Sequence, residues 1–217
     1  MADLREAYLT QAADLEAPVH WSGPPEMVDR IAAIVGTRPD HLVVDVGAGV
    51  GGPARRLAEL VGCRVIAVDL LPELVARIEA PPGPGTVRGV AGTATALPFA
   101  DRVADQIWCL GMVAHLPDLG AFAREVRRAM RPGGALAVTE AFADHQASAR
   151  FAASAPRPWR ALPTEELVHA LHAAGLVSVE VHTWPGHGIP GALKTRDPLL
   201  SSDLAEGRLT PRLVLAR

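Results

Sequence analysis

The segment Leu42-Val43-Val44-Asp45-Val46-Gly47-Ala48-Gly49-Val50-Gly51-Gly52 decides the fold. Its first five residues are apolar except Asp45, a short run that reads as a buried strand. The glycines that follow allow a sharp turn and a close approach of ligand to backbone, beside the N-terminus of a helix. That helix is expected over 53–62, with apolar residues at 54, 57, 58 and 61 and Gly62 to close it. A second buried strand follows over 63–70, then a helix over 72–80 opened by Pro72. Pro81-Pro82-Gly83-Pro84-Gly85 breaks the chain.

The same alternation continues. Strands are expected over 86–92, 103–110, 135–142, 176–184 and 209–217. Helices are expected over 118–130, N-capped by Asp118, and over 163–175, capped by Thr164 and ended by Gly175. Arg131-Pro132-Gly133-Gly134 reads as a turn between helix and strand. Strand–helix alternation over 42–140 predicts βαβ units and a parallel sheet covered on both faces. Residues 1–40, 141–162 and 185–208 fall outside the alternation, and the first of these is read as two helices around Trp21-Ser22-Gly23.

Composition limits the function classes. The 217 residues fit one domain. With 21 basic and 24 acidic side chains the net charge is -3, which disfavours a protein built on phosphate contacts. Four Phe, four Trp and one Tyr are too few for a stacking platform, so no nucleic-acid partner is expected. No apolar run is long enough to cross a membrane, and the acid-bearing start lacks a signal-peptide core. Cys63 and Cys109 read as buried thiols, and the expected location is the cytoplasm. A single Lys (Lys194) beside 20 Arg, with no Asn, reflects coding bias more than function.

The glycine loop satisfies both G-x-G-x-x-G (Gly47, Gly49, Gly52) and D-x-G-x-G-x-G (Asp45, Gly47, Gly49, Gly51), and Asp45 discriminates between them. A carboxylate beside a pyrophosphate repels it, whereas it suits a ligand with a cationic end, such as the ammonium and sulfonium of S-adenosyl-L-methionine (SAM). A loop-capping Asp45 is the alternative. Asp69 ends the second strand 20 residues after Gly49, where an acid accepts ribose hydroxyls in NAD and SAM proteins alike. It also reads as an N-cap before Pro72.

These residues fall into a familiar order. VVDVGAGVGGPARRLAE (43–59) resembles motif I of class I SAM-dependent methyltransferases, and VIAVDLLPELV (65–75) resembles their second motif. GTATALPFADRVADQIWCLGMVAHLPD (92–118) is similar to the segment through their fourth strand. LGAFAREVRRAMRPGGALAVTE (119–140) and TEELVHALHAAGLVSVEV (164–181) resemble the fifth strand with its preceding helix and the late helix and strand. The GGPARRLA form is similar to small-molecule methyltransferases of the tocopherol, ubiquinone and sterol type. The resemblance implies an α/β fold, a Rossmann-like seven-stranded, mostly parallel sheet with the last strand antiparallel, and a small helical N-terminal cap. It implies one domain over 1–217: a cap (1–40), a cofactor half (41–140) and a substrate-side half (141–217).

The resemblance also implies residue roles. Asp45, Gly47, Ala48 and Gly49 would face the methionine half of SAM, Asp69 the ribose and Leu70 the adenine. Thr93 and Ala94 would border the adenine, with Thr93 standing where the family usually has Asp, and Leu110 would pass near the methionine group. His115, in Met112-Val113-Ala114-His115-Leu116-Pro117-Asp118, is the candidate base, since an imidazole titrates near neutrality; packing on the cofactor is its alternative. Glu140, at the end of the fifth strand, is a candidate to orient a substrate, or a structural acid. His20, Trp21, His145, Trp159, Trp184 and His187 are the candidate substrate contacts, and the 185–208 stretch is expected to help cover the substrate. His169 and His172 read as surface or packing residues. No CxxC, HExxH or acidic triad is present, and no metal is expected.

The reading that follows is SAM-dependent methyl transfer to oxygen, nitrogen or carbon of a small molecule, by a monomer or homodimer of a bacterial secondary-metabolite tailoring type. An NAD(P)-dependent oxidoreductase and a SAM-fold protein with non-methylating activity or a scaffold role are the alternatives.

Overall fold

The computed structural model describes residues 5, 9, 25–144, 160–183, 202, 203 and 205–217. The deciding segment forms β1 (Leu42–Val46), inside a seven-stranded sheet. The other strands are β2 (Arg64–Asp69), β3 (Thr86–Ala91), β4 (Ala104–Leu110), β5 (Met130–Ala143), β6 (Val179–Thr183) and β7 (Leu209–Ala216), in the order β3-β2-β1-β4-β5-β7-β6. β1 to β5 pair in parallel, and β7 runs antiparallel to both β5 and β6. This is the Rossmann-like arrangement expected, with its last strand reversed. The chain leaves β1 toward β2 on one side and returns to β4 on the other. The strand order therefore reverses at β1/β4, where open α/β sheets bind ligands at the carboxyl ends of the strands.

Burial follows from the parallel pairing. β4 reads Ala-Asp-Gln-Ile-Trp-Cys-Leu and all but Asp105 is buried, because helices cover both of its faces. On one face α1 (Pro25–Val35) and α2 (Gly52–Val61) pack Met27, Val28, Ile31 and Leu57 against Val43, Val65, Trp108 and Leu213. On the other, α4 (Leu119–Ala129) and α5 (Thr164–Ala173) pack Phe122, Val126, Leu167 and Leu171 against Val44, Ile107, Val138 and Val214. Asp29 on α1 grips Arg56 on α2 through two bonds of 2.8 and 2.6 Å. Both cysteines are buried free thiols, as expected.

Some expectations are corrected. The helix expected over 72–80 is α-helical only in α3 (Pro72–Val75). Beyond it the bonds tighten to Arg77 N–H on Leu74 O and Ile78 N–H on Val75 O. Pro81-Pro82 then disfavours helix in the residue ahead of it. Thr164 does not cap α5: it is the first helical residue, and its hydroxyl instead accepts from Arg212 Nη1 at 3.0 Å. Arg131-Pro132-Gly133-Gly134 belongs to β5, as a bulge in its register with β4 between Ala104/Met130 and Gln106/Ala135. The strand expected over 176–184 is confined to Val179–Thr183. Of residues 1–24 only Arg5 and Leu9 are described, both helical, so the first of the two N-terminal helices lies mostly outside the described residues. Asp118 does cap α4, accepting from Ala121 N–H at 2.8 Å. His169 and His172 are exposed on α5, as expected.

Gly85 marks the tightest approach between elements near the turn into β3. A Cβ there would lie 2.2 Å from the carbonyl oxygen of Ala58 on α2. Gly85→Ala is expected to cost about 1–3 kcal/mol, as overpacking does, and to lower Tm by roughly 3–10 °C. Thermal unfolding followed by circular dichroism checks this; an unchanged midpoint would mean that α2 and β3 are free to separate.

Candidate cofactor-binding cleft

The cleft is built from the carboxyl ends of β1, β2, β3 and β4. The turn after β1 folds back on β2: Gly47 N–H and Ala48 N–H both donate to Val68 O, at 2.8 and 3.0 Å. Gly49 N–H donates to Asp69 Oδ2 at 2.8 Å, and Gly51 N–H to Ala48 O at 2.9 Å. Gly47 carries φ 76°, and a Cβ on it would lie 2.4 Å from Cγ of Met112, so the turn after β4 closes directly over it. Met112 was not singled out from the sequence. The signal available was only its position three residues past Cys109, which a pattern search does not weigh.

Asp45 sits within β1, beside Ala67 of β2 and Trp108 of β4, and is 3% exposed. Its Oδ2 is buried with no hydrogen-bond partner. Burial, with a smaller repulsion from Asp69, pushes its pKa up to about 7. The loop-capping alternative receives no support from that oxygen. Asp69 accepts from Gly49 N–H through Oδ2 and from Leu71 N–H through Oδ1 at 3.0 Å. Burial raises its pKa, and the bonds from Leu71, Gly49 and Leu70 oppose the rise. Leu70, the next residue, is 67% exposed, an apolar side chain left on the rim. Thr93 is exposed and its hydroxyl lies 3.2 Å from that of Thr95. Ala48, Ala94 and Leu110 put their side chains into the core, so they meet a ligand only by backbone.

The structure thus gathers Asp45, Gly47, Ala48, Gly49, Asp69, Leu70, Thr93, Ala94 and Leu110 around one edge of the sheet. His115 ends a 3-10 turn, Val113–His115, that follows β4 on the same edge, and it is half-buried. Glu140 is half-buried at the corresponding level of β5. Its Oε2 accepts from Ala114 N–H at 3.2 Å and its Oε1 from Ala141 N–H at 3.0 Å. Burial raises its carboxyl to about 7 against those two bonds. Register sets it on the α4/α5 face of the sheet, with Val138, whereas Asp45 lies on the α1/α2 face, with Val43. His20, Trp21, His145, Trp159, Trp184 and His187 lie outside the described residues. Among the described residues no group of three or more His, Cys, Asp or Glu is placed to hold a metal.

The amides of Gly47, Ala48, Gly49 and Gly51 are bonded to protein oxygens, while the first amides of α2 are left without intrahelical partners, as at any helix N-terminus. What the cleft offers is carboxylate, one oxygen of it unpartnered, which suits a ligand with a positive end. Residues 44–138 match the methyltransferase domain family. The match covers less than half of the chain.

Over 103 residues this chain is 37% identical to the 2-methyl-6-phytyl-1,4-hydroquinone methyltransferase of Synechocystis, a span of 47% of this chain and 32% of that enzyme. The match thus spans about a third of the length of that curated relative. In fold it is similar to the geranyl diphosphate C-methyltransferase of Streptomyces coelicolor, with a TM-score of 0.75 at 15% identity, covering 98% of this chain and 97% of that one. It is likewise similar in fold to the [4+2]-cyclase SpnF, with a TM-score of 0.72 at 19% identity over 99% and 93%. The cleft itself offers an unpartnered Asp45 oxygen suited to a cation, Asp69 oxygens able to accept further donors, and an exposed apolar Leu70.

The titration of Asp45 gives a test. Free, with its pKa near 7, it is mostly protonated at pH 6; a bound ammonium favours the carboxylate. S-adenosylhomocysteine binding at pH 6 is therefore expected to release a substantial fraction of a proton, and affinity should rise with pH up to about 8. Calorimetry in buffers of different ionisation enthalpy measures the proton count. Asp45→Asn should abolish the release and weaken binding about tenfold or more. The sign is opposite for the unliganded fold. Asp45 and Glu140 have folded pKa values above their ordinary ones, so the stability they contribute is full below about pH 4 and is lost as pH rises through about 7. Tm without ligand should fall across that window, and fall less in Asp45→Asn.

Proposed function

We propose that this chain binds SAM across the carboxyl ends of β1 to β4 and transfers its methyl group to a small-molecule acceptor. The observation that carries the reading is the buried, unpartnered Oδ2 of Asp45, set beside a loop fastened to the end of β2. In this reading Asp45 holds the ammonium and Asp69 the ribose hydroxyls. Asp69 keeps its bond to Gly49 while doing so, since a carboxylate oxygen accepts more than one donor. Leu70 packs on adenine, and Thr93 offers its hydroxyl where the family usually places a carboxylate. The cofactor supplies an electrophilic methyl carbon on a positively charged sulfur. The protein must bring the acceptor within about 3 Å of that carbon and take away any proton the acceptor loses.

His115 is the residue we assign to that proton. Its turn follows β4 at the open edge of the sheet, and Glu140 fixes that turn through Ala114 N–H. Glu140 is then a positioning residue, with both oxygens bonded to backbone. The substrate side falls to residues 1–40 and 141–217, with His20, Trp21, His145, Trp159, Trp184 and His187 as its contacts. The acceptor atom is oxygen, nitrogen or carbon. The relatives' names supply two acceptors with isoprenoid chains, a phytyl hydroquinone and geranyl diphosphate. A role in tailoring a bacterial secondary metabolite in the cytoplasm, as a monomer or homodimer, completes the proposal. A second reading, non-methylating chemistry in the same cleft, is favoured by the likeness in fold to the cyclase SpnF.

Titration with S-adenosylhomocysteine and, separately, NADH separates the enzyme classes: micromolar binding of the first and none of the second is expected. Binding of NADH alone would sink the proposal. With an acceptor panel that begins with prenyl hydroquinones and geranyl diphosphate, release of S-adenosylhomocysteine reports transfer; cofactor binding with an altered acceptor but no release would favour the second reading. His115→Ala should lower turnover about 10²–10⁴-fold and leave cofactor affinity within about threefold. Equal losses in both would make His115 a binding residue.

A further inference from the structure

β6 is the last strand of the sheet, bonded to β7 on one side and to no described residue on the other. An open edge of this kind presents a row of unpaired N–H and C=O groups, ready to pair with another strand. Edge strands in monomers are usually blunted by charged side chains, Pro, bulges or shortness; Val179-Glu180-Val181-His182-Thr183 has no Lys, Pro or bulge, and Glu180 is its one carboxylate. Its register with β7 is continuous. Glu180, Val181, His182 and Thr183 are all exposed. Val181 is 42% exposed, and Val177, just ahead of the strand, is 82% exposed. Two of the exposed large apolar side chains therefore stand together on this edge.

The phase of the ladder tells which groups are free. Arg217 N–H donates to Ser178 O at 3.1 Å, and Ser178 lies opposite Arg217 in the β6–β7 register. Antiparallel pairs alternate, so the backbone groups of Ser178, Glu180 and His182 turn toward β7. Those of Val179, Val181 and Thr183 turn outward.

The sequence of the strand is complementary to itself. When two copies are laid antiparallel about a two-fold axis at Val181, Val181 meets its own copy and Val179 meets Thr183. Each of these pairs exchanges its outward N–H and C=O. The alternate pairs set Glu180 of one copy opposite His182 of the other, a carboxylate acceptor against an imidazole donor. Within one chain these two residues already meet, His182 Nε2 lying 3.2 Å from Glu180 Oε2. Doubling the strand therefore gives a ladder of alternating acceptor and donor on one face, and apposed valines on the other. A one-residue slip would set Glu180 against Val181 and lose both features.

We propose that β6 pairs with β6 of a second copy of this chain, joining the two seven-stranded sheets into one continuous sheet. The partner strand runs in the opposite direction, so the two cofactor clefts open on opposite edges of the joined sheet and neither covers the other. The interface is isologous, the commonest kind in soluble oligomers.

Sedimentation equilibrium of the full chain from about 1 to 100 µM is expected to show a monomer–dimer equilibrium; a monomer at every concentration overturns the proposal. Val181→Pro removes an outward N–H and no β6–β7 bond, so it should raise the dimer dissociation constant about tenfold or more with an unchanged far-ultraviolet spectrum. Dimerisation unaffected by this change would place the interface elsewhere and overturn the pairing. Because a proline can disturb a strand, the charge series gives an independent reading. His182→Glu sets carboxylates against each other and should weaken the dimer. Adding Glu180→His to it restores the opposite pairing and should restore the dimer. Failure of the double substitution to recover association, when both proteins are folded, rejects the two-fold at Val181.

Discussion

The carbonyl oxygen of Val68 holds the cleft together. It takes the amide hydrogens of both Gly47 and Ala48, and the next residue, Asp69, takes that of Gly49. Three successive amides of the loop after β1 are thus fastened to the end of β2. The turn cannot open without breaking bonds to a buried strand, so its shape is set before any ligand arrives. Met112, packed where a side chain on Gly47 would go, closes the space above the loop.

Beside this fastened loop, Asp45 is left with a buried oxygen that no described group satisfies. Holding a carboxyl near pH 7 where 3.8 is ordinary corresponds to about 4 kcal/mol of penalty on the charged form. A fold does not gain by this arrangement alone. A neutral Asn would fill the same space without the charge, and an apolar residue would continue the strand. The cost becomes intelligible if a cation is the missing partner, because the same desolvation that raises the pKa also strengthens the attraction for a bound positive group. The neighbouring Asp69 adds to the penalty and to the attraction alike.

The strands were legible because the information is local and repeated, but their order in the sheet was not, since pairing joins distant segments. β1, β2 and β4 are short, largely apolar runs that end in glycine or an acid, whereas β3 carries Arg88 among half-exposed residues and β5 runs through Arg131-Pro132-Gly133-Gly134. The reversed β7 came from the resemblance and not from periodicity, since a short apolar strand gives no sign of its direction. The candidate cofactor residues could be named because they lie at strand ends where the alternation breaks. What escaped depends on distant partners. Thr164 has the chemistry of an N-cap, but Arg212, 48 residues away, claims its hydroxyl. The helix after β2 keeps only one turn, and Ile78 beyond it packs below Gly51, its Cγ1 3.0 Å from where a Cβ would be. Met112 matters only because the strand before it ends opposite Gly47. The candidate substrate contacts fall in 1–24, 145–159 and 184–201, where neither motif nor periodicity assigns positions.

Glu140 shows how geometry refines a residue that chemistry alone leaves ambiguous. An acid at the end of β5 resembles a substrate anchor in sequence. In the fold both its oxygens accept backbone hydrogens, and one of these belongs to Ala114, the residue before His115. The sheet itself lies between it and Asp45, so the two raised carboxyls do not act as an acid–base pair. Their similar pKa values share a cause, burial, and not a function. One oxygen of Asp45 lacks a donor that a ligand can bring. Glu140 has its donors already, and those bonds fix the turn from which His115 projects. A perturbed carboxyl is therefore informative only together with the partners of its oxygens, and by that measure the two acids at the carboxyl edge of this sheet have different work.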